Sequence, residues 1–283
     1  MIDTHCHLNF NAFKKDYREV ASRSFSQGVE AMLIVGSNYQ TSKRAIELAQ
    51  EFNGCYAALG LHPIHVNDEE FKPTEYISLI SINSKIVKAI GETGLDYFHH
   101  EISNFESQNS GSQLKNQNFK ERQKNIFLEH LKLAKEFNLP IILHCRGATN
   151  NPLPAYQDLL DIILRQSVLG LRASIPIGVI HCFSANWQIA QKFLDLGLYI
   201  GFTGIITFKN CHDYLLEVVE KAPLEKILIE TDAPYLAPEP YRGQRCEPWH
   251  VKFTAQKIAE IKKISLEEVL DQTTKNAKNI FKI

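Results

Sequence analysis

A chain of 283 residues, 44% hydrophobic and 22% charged, is long enough to bury a large core and ordinary enough to fold as a globular protein. Its formal net charge of −1 argues against a protein that coats nucleic acid by bulk electrostatics; a nucleic-acid substrate would need a local patch or bound cations. No apolar run approaches the ~20 residues of a membrane span.

The chain opens on the apolar run Met1–His5, and His5-Cys6-His7 sets two imidazoles one residue apart. In an extended strand residues i and i+2 share a face, so both rings can reach one ion. The pair stands so early that no signal peptide fits ahead of it. Further runs rich in Val, Ile, Leu and Ala follow at Glu30–Val35, Cys55–Leu61, Ile86–Glu92, Pro140–Cys145, Ile177–Cys182, Leu198–Gly204 and Lys226–Asp232. Apolar character without alternation suits strands covered on both faces of a parallel sheet. Amphipathic segments separate them, such as Phe119–Phe137, where Phe127, Leu131 and Ala134 recur at helical spacing. A capping pattern at Ser265-Leu266-Glu267-Glu268 opens a last helix.

Eight strand–helix units predict an α/β protein, a single (β/α)8 TIM barrel over residues 1–283, in a fold that typically takes ~250 residues. Two stretches break the rhythm. Ser103–Asn118, rich in Ser, Asn, Gln and Lys, reads as a polar loop insert; Thr149–Pro154 reads as a loop on the active face.

Barrel enzymes carry their chemistry at the C-terminal ends of the strands. That is where the candidate ligands fall: His5 and His7 after the first run, Glu92 after the fourth, His144, His181 and Asp232 after the fifth, sixth and eighth. Four imidazoles and two carboxylates form a nitrogen-and-oxygen set suited to one or two divalent ions. Glu92 is flanked by Gly91 and Gly94, which let a ligand approach closely, and its two oxygens make it a candidate bridge. Asp232, before Ala233-Pro234, is either a helix cap or a ligand that also accepts a proton from water; Glu230 would support the shell. His62 ends the third run, where it can donate to a substrate oxygen, and His65 reads as a loop surface residue. His99, His100, His130, His212 and His250 lack this alignment and read as structural or exposed. Arg242 and Arg245, after the eighth run, could form a phosphate fork. The six cysteines contain no Cys-x-x-Cys pair, and three of them adjoin candidate ligands, so reduced thiols in a cytoplasmic protein are expected.

At this point the chain resembles the TatD family of metal-dependent deoxyribonucleases, in the amidohydrolase superfamily. The matching stretches are Asp3-Thr4-His5-Cys6-His7-Leu8, Gly91-Glu92-Thr93-Gly94-Leu95-Asp96-Tyr97, His181-Cys182-Phe183-Ser184, Gly201-Phe202-Thr203-Gly204 and Glu230-Thr231-Asp232-Ala233-Pro234-Tyr235-Leu236. The resemblance implies that His5, His7, Glu92 and Asp232 hold one ion and that Glu92, His144 and His181 hold the other. Glu92 takes the bridging place that some superfamily relatives give to a carboxylated lysine. The chain departs from the family pattern at Gly147, where an acidic residue usually follows the arginine, and at Gln244 and Cys246 in the late arginine loop. These changes bear on substrate contacts and leave the ligands intact.

The reaction expected is hydrolysis of a phosphodiester bond of DNA, from 3′ ends or in single strands, by a water activated between two Mg, Mn or Zn ions ~3.5–4 Å apart. Glu92 and Asp232 are its catalytic carboxylates; His62, Arg146, Arg242 and Arg245 contact the substrate. No obligate protein partner and no membrane are expected. The alternative on the same scaffold is a D-aminoacyl-tRNA deacylase or another ester or amide hydrolase, since metal-activated water does not distinguish phosphorus from carbonyl carbon. A non-catalytic, metal-stabilised binding protein is the third reading, and a complete ligand set speaks against it.

Overall fold

The computed structural model describes residues 1–98, 112–149, 151–166 and 177–283, with backbone alone over 112–117. Its strands are β1 (Ile2–Cys6), β2 (Ala31–Val35), β3 (Cys55–Leu59), β4 (Val87–Asp96), β5 (Ile141–Arg146), β6 (Gly178–Ile180), β7 (Tyr199–Phe202) and β8 (Ile227–Ile229). Each pairs in parallel with the next in chain order. The last seam runs through the residues just after β8. Asp232 N–H donates to His5 O at 2.9 Å, His7 N–H donates to Ala233 O at 2.7 Å, and Cys6 bridges to Ala233. This is the expected TIM barrel.

Around it lie α1 (Tyr17–Ser26), α2 (Tyr39–Glu51), α3 (Pro73–Ile82), α4 (Ser112–Glu136), α5 (Leu153–Gln166), α6 (Trp187–Asp195), α7 (Asp213–Lys221), α8 (Val251–Lys262) and α9 (Leu266–Phe281). Local chemistry sets their starts. Asn38 caps α2 by accepting from Thr41 N–H at 2.8 Å, and Ser265 caps α9 by accepting from Glu268 N–H at 3.1 Å. Among the described residues, no helix is long and apolar enough to cross a membrane.

Strand side chains alternate between two apolar layers. One set packs outward against the helices, for example Met32, Ile34, Ala57 and Leu59. The other fills the barrel: Ile2, Leu33, Val35, Ala58, Ala89, Ile142, Val179 and Leu228. Ala277, Ile280 and Phe281 of α9 join this inner set near the strand starts and close that end. The opposite end, where the strands finish, is left for the cleft.

Several boundaries differ from the sequence reading. Glu92 does not end its strand, because β4 continues to Asp96. The register with β5 slips between Ile90 and Thr93, and Gly91 and Gly94 both take φ of 142° there, a conformation a side chain would strain. The polar insert is also shorter than expected: residues 112–118 already belong to α4, and 103–111 lie outside the described residues. Gln, Leu and Lys propagate a helix once its buried stripe has nucleated one, so polarity alone misplaced this boundary. The loop expected over Thr149–Pro154 likewise ends where α5 begins at Leu153.

Candidate metal centre

The first two ligand candidates are aimed by their neighbours. His5 is fully buried and His7 nearly so, and their Nε2 atoms stand 3.2 Å apart. His7 Nδ1 lies 2.8 Å from Val35 O, so Nδ1–H donates to that carbonyl and Nε2 faces inward. Asp3, two residues earlier, ties β1 to the segment after β8. Its carboxylate accepts from Thr231 N–H at 2.9 Å and Thr231 Oγ1–H at 2.6 Å, while burial pushes its pKa up. That staple places Asp232, which adopts a φ of 59°, with Oδ1 at 3.4 Å from His7 Nε2, 3.6 Å from His181 Nε2 and 3.8 Å from His5 Nε2.

Glu92 sits at the middle of the set, 2% exposed, and its two oxygens face different histidines. Oε2 lies 3.4 Å from His5 Nε2 and 3.8 Å from His7 Nε2. Oε1 lies 2.8 Å from His144 Nδ1, 3.6 Å from His62 Nε2 and 3.8 Å from His181 Nε2. Burial alone would raise the Glu92 pKa. The imidazoles of His62, His5 and His181 outweigh it and hold the carboxyl well below its ordinary range.

His144 and His181 each have a second carboxylate behind them. Asp96 Oδ2 stands 3.0 Å from His144 Nε2. Glu230 Oε1 stands 2.8 Å from His181 Nδ1, off the line of a straight hydrogen bond, and accepts from Cys182 N–H at 2.6 Å. Burial opposes charge on both rings, yet these carboxylates together with Glu92 lift His144 to about 9 and His181 to about 10. His62 differs. Its Nδ1 accepts from Ile64 N–H at 3.1 Å, which leaves the proton on Nε2, and burial with the neighbouring His144 keeps its pKa well below normal. It is a neutral donor aimed into the site.

The donor set fits divalent cations. Ligand atoms about 2.1 Å from one ion at tetrahedral corners stand about 3.4 Å apart, close to the separations between His5, His7, Glu92 and Asp232. Among the described residues, three clusters have ligand atoms mutually within 4.8 Å: His5–His7–Asp232, His5–His181–Glu230 and His62–Asp96–His144. The carboxylates that favour protonated His144 and His181 would equally favour a cation, and an ion held by these rings would displace protons.

A cleft of about 940 Å³ opens onto this cluster. Phe10, stacked on His7 with ring centroids 4.2 Å apart, lines one side, and Tyr235, 53% exposed, lines another. Arg146 stands at the rim with its guanidinium 3.7 Å over the Phe98 ring.

The structure thus brings together His5, His7, His62, Glu92, His144, Arg146, His181 and Asp232. It does not bring in the expected arginine fork. Arg245 is turned away into a bidentate pair with Asp16, at 2.9 Å and 2.5 Å, and Arg242 stacks 3.7 Å over Phe208; neither lines the cleft. Two acidic partners near that loop, Asp16 and Glu247, compete with any phosphate for Arg245. His65, expected as a loop surface residue, is half-buried and lines the cleft. His130 and His250 are buried and His212 exposed, while His99 and His100 lie outside the described residues. Sequence reading gave Asp96 no role. Its signal was the i, i+4 relation to Glu92, which becomes visible only when the strand is known to continue past the glutamate.

A TatD-related DNase family model matches residues 2–282. The chain belongs to the TatD-related DNase family. It is 38% identical over 283 residues to the metal-dependent hydrolase YabD of Bacillus subtilis, covering 100% of this chain and 99% of that one. It is 31% identical to the 3′-5′ ssDNA/RNA exonuclease TatD of Shigella flexneri, again over 100% and 99% of the two chains. Among solved structures, the TatD homologue YjjV of Escherichia coli K12 superposes with a TM-score of 0.83 at 28% identity, covering 100% of this chain and 98% of that one. Membership in the family makes this chain a metal-dependent hydrolase of ester bonds, and the His, Glu and Asp cluster at the strand ends is the candidate site for a metal.

Proposed function

We propose that this protein is a 3′-5′ exonuclease of single-stranded DNA or RNA, acting as one barrel domain on the terminal phosphodiester. The observation that carries the reading is the two-sided Glu92: Oε2 turns to His5 and His7, and Oε1 turns to His144, His62 and His181. Such a carboxylate suits two ions, one held by His5, His7, Glu92 and Asp232, the other by Glu92, His144 and His181. Two divalent ions supply Lewis acidity at a phosphoryl oxygen and a water of lowered pKa.

The chain's own residues do the rest. Asp232 stays ionised beside three imidazoles and is 16% exposed to the cleft, so it can take a proton from an attacking water. His62, neutral with Nε2–H facing inward, donates to a non-bridging phosphate oxygen. Arg146 at the rim pairs with the next phosphate, and Phe10 and Tyr235 offer faces for terminal bases. A substrate gripped at its end needs few phosphate contacts, which suits a net charge of −1. The six free cysteines fit work in a reducing compartment such as the cytoplasm.

The test is incubation of chelator-stripped, Mg- or Mn-reloaded protein with single strands labelled at either end. Stepwise release from the 3′ end is expected, with 5′ label retained in a shortening ladder. Deacylation of D-aminoacyl-tRNA without nucleotide release would overturn the nuclease reading in favour of an ester hydrolase on the same centre.

A further inference from the structure

Glu92, Gly94 and Asp96 alternate along β4, so they share one face of the strand. Gly94 pairs with His144 on β5, and a Cβ there would collide with the His144 carbonyl oxygen. The bare glycine lets the β4 and β5 backbones close here, and the His144 ring lies between the two carboxylates, with Nδ1 at 2.8 Å from Glu92 Oε1 and Nε2 at 3.0 Å from Asp96 Oδ2. Asp96 is fully buried, and its backbone is clamped on both sides by Gln123 of α4. Gln123 Oε1 accepts from Asp96 N–H at 3.1 Å, and Gln123 Nε2 donates to Asp96 O at 3.1 Å. The same amide donates to Pro63 O at 3.0 Å, next to His62.

We propose that Asp96 is a positioning residue that holds the proton of His144 on Nε2, so that His144 meets its ion through Nδ1 while His181 meets the same ion through Nε2. A carboxylate behind a histidine fixes which nitrogen carries the proton and raises the basicity of the other. Glu230 stands behind His181 on the Nδ1 side, and Asp96 stands behind His144 on the Nε2 side. The two rings therefore turn different nitrogens toward the same Glu92 Oε1, Nδ1 of His144 at 2.8 Å and Nε2 of His181 at 3.8 Å. The inference rests on the reading that Glu92, His144 and His181 share an ion.

Ring-nitrogen NMR of the zinc-loaded, ¹⁵N-histidine-labelled protein tests it, with His144 signals assigned by their loss in His144→Ala. His144 is expected to show a protonated Nε2 and a zinc-bound Nδ1; a zinc-bound Nε2 would overturn the proposal without any change at Asp96. Competition titration with zinc gives a second readout. Asp96→Asn should weaken the second equivalent by roughly 10–100-fold and leave the first within error. Unchanged affinity and an unchanged His144 pattern in Asp96→Asn would sink the role of Asp96 alone. Two equivalents bound with wild-type affinity in His144→Ala would instead sink the shared-ion reading beneath it. If Asp96→Asn does not fold, the wild-type ring pattern still decides.

Discussion

His181 lies flat against His5, ring centroids 3.5 Å apart and planes within 18° of parallel. Two stacked imidazoles cannot both carry a proton at low cost, and their pKa values part accordingly. Burial and His181 lower His5, whereas Glu230 and Glu92 lift His181 to about 10 against the effect of burial. Cations held separately by His5 and by His181 would take the two inward nitrogens and remove the conflict.

Chelation should therefore abolish hydrolysis and leave the barrel folded. The apolar strand bodies form the core, and the ligands sit at strand ends. Circular dichroism and a cooperative melt should persist in the stripped protein, with activity restored on reloading. Loss of the cooperative transition would mean that the metals are structural.

Asp232→Asn should lower turnover by ~10²-fold or more, since it removes a ligand charge and the proton acceptor together. The fold should survive, because the staple to β1 runs through Asp3 and Thr231. Steady-state kinetics at saturating metal is the check; near-wild-type turnover would take Asp232 out of the proton transfer.

The rim arginines should separate cleanly. Arg146→Ala should weaken single-strand binding and reduce the slope of log affinity against log salt by about 0.7, the value for one lost phosphate contact. Arg245→Ala breaks a half-exposed pair with Asp16, so it should cost no more than about 1 kcal/mol of stability and leave that slope unchanged. A salt slope altered by Arg245→Ala would restore the arginine fork.

His130 gives a pH dependence of known sign. Its Nε2 accepts from Leu61 N–H at 3.0 Å, Nδ1–H donates to Ile126 O at 2.8 Å, and burial holds its pKa down to about 4. An unfolded histidine titrates near 6.5. The native state therefore favours the neutral ring, and its contribution is whole above about pH 6.5 and lost as pH falls towards 4. Thermal melts should show that loss, and His130→Leu should flatten it while costing about 1–3 kcal/mol at neutral pH for the unpaired Leu61 N–H. An unchanged pH profile in the variant would assign the loss to other groups.

The barrel and the ligand candidates were legible because both leave local traces: apolar runs in strand register, and a histidine or carboxylate at or just past the end of five of them. Glu92 was found for that reason, although its strand continues beyond it to Asp96. What sequence could not carry was the identity of partners brought from afar. Nothing near Arg245 predicts that Asp16, 229 residues away, takes its guanidinium. His130 and Gln123 look like surface polar residues of α4, yet they take places in the buried stripe that runs through Phe127 and Ala134. Leu131, expected there, is only partly buried. Backbone groups at the ends of β3 and β4 need hydrogen-bond partners, and that need outweighs hydrophobic periodicity at those two positions.

The end of the barrel away from the cleft is sealed by Ala277, Ile280 and Phe281, which follow every strand in the chain. During synthesis every strand is therefore made before the residues of the floor. Until α9 emerges, the inner faces of Ile2, Leu33 and Leu228 border an open apolar well. A nascent chain paused there is at its most prone to aggregate or to recruit a chaperone, and this vulnerable interval ends only when three late side chains drop into place.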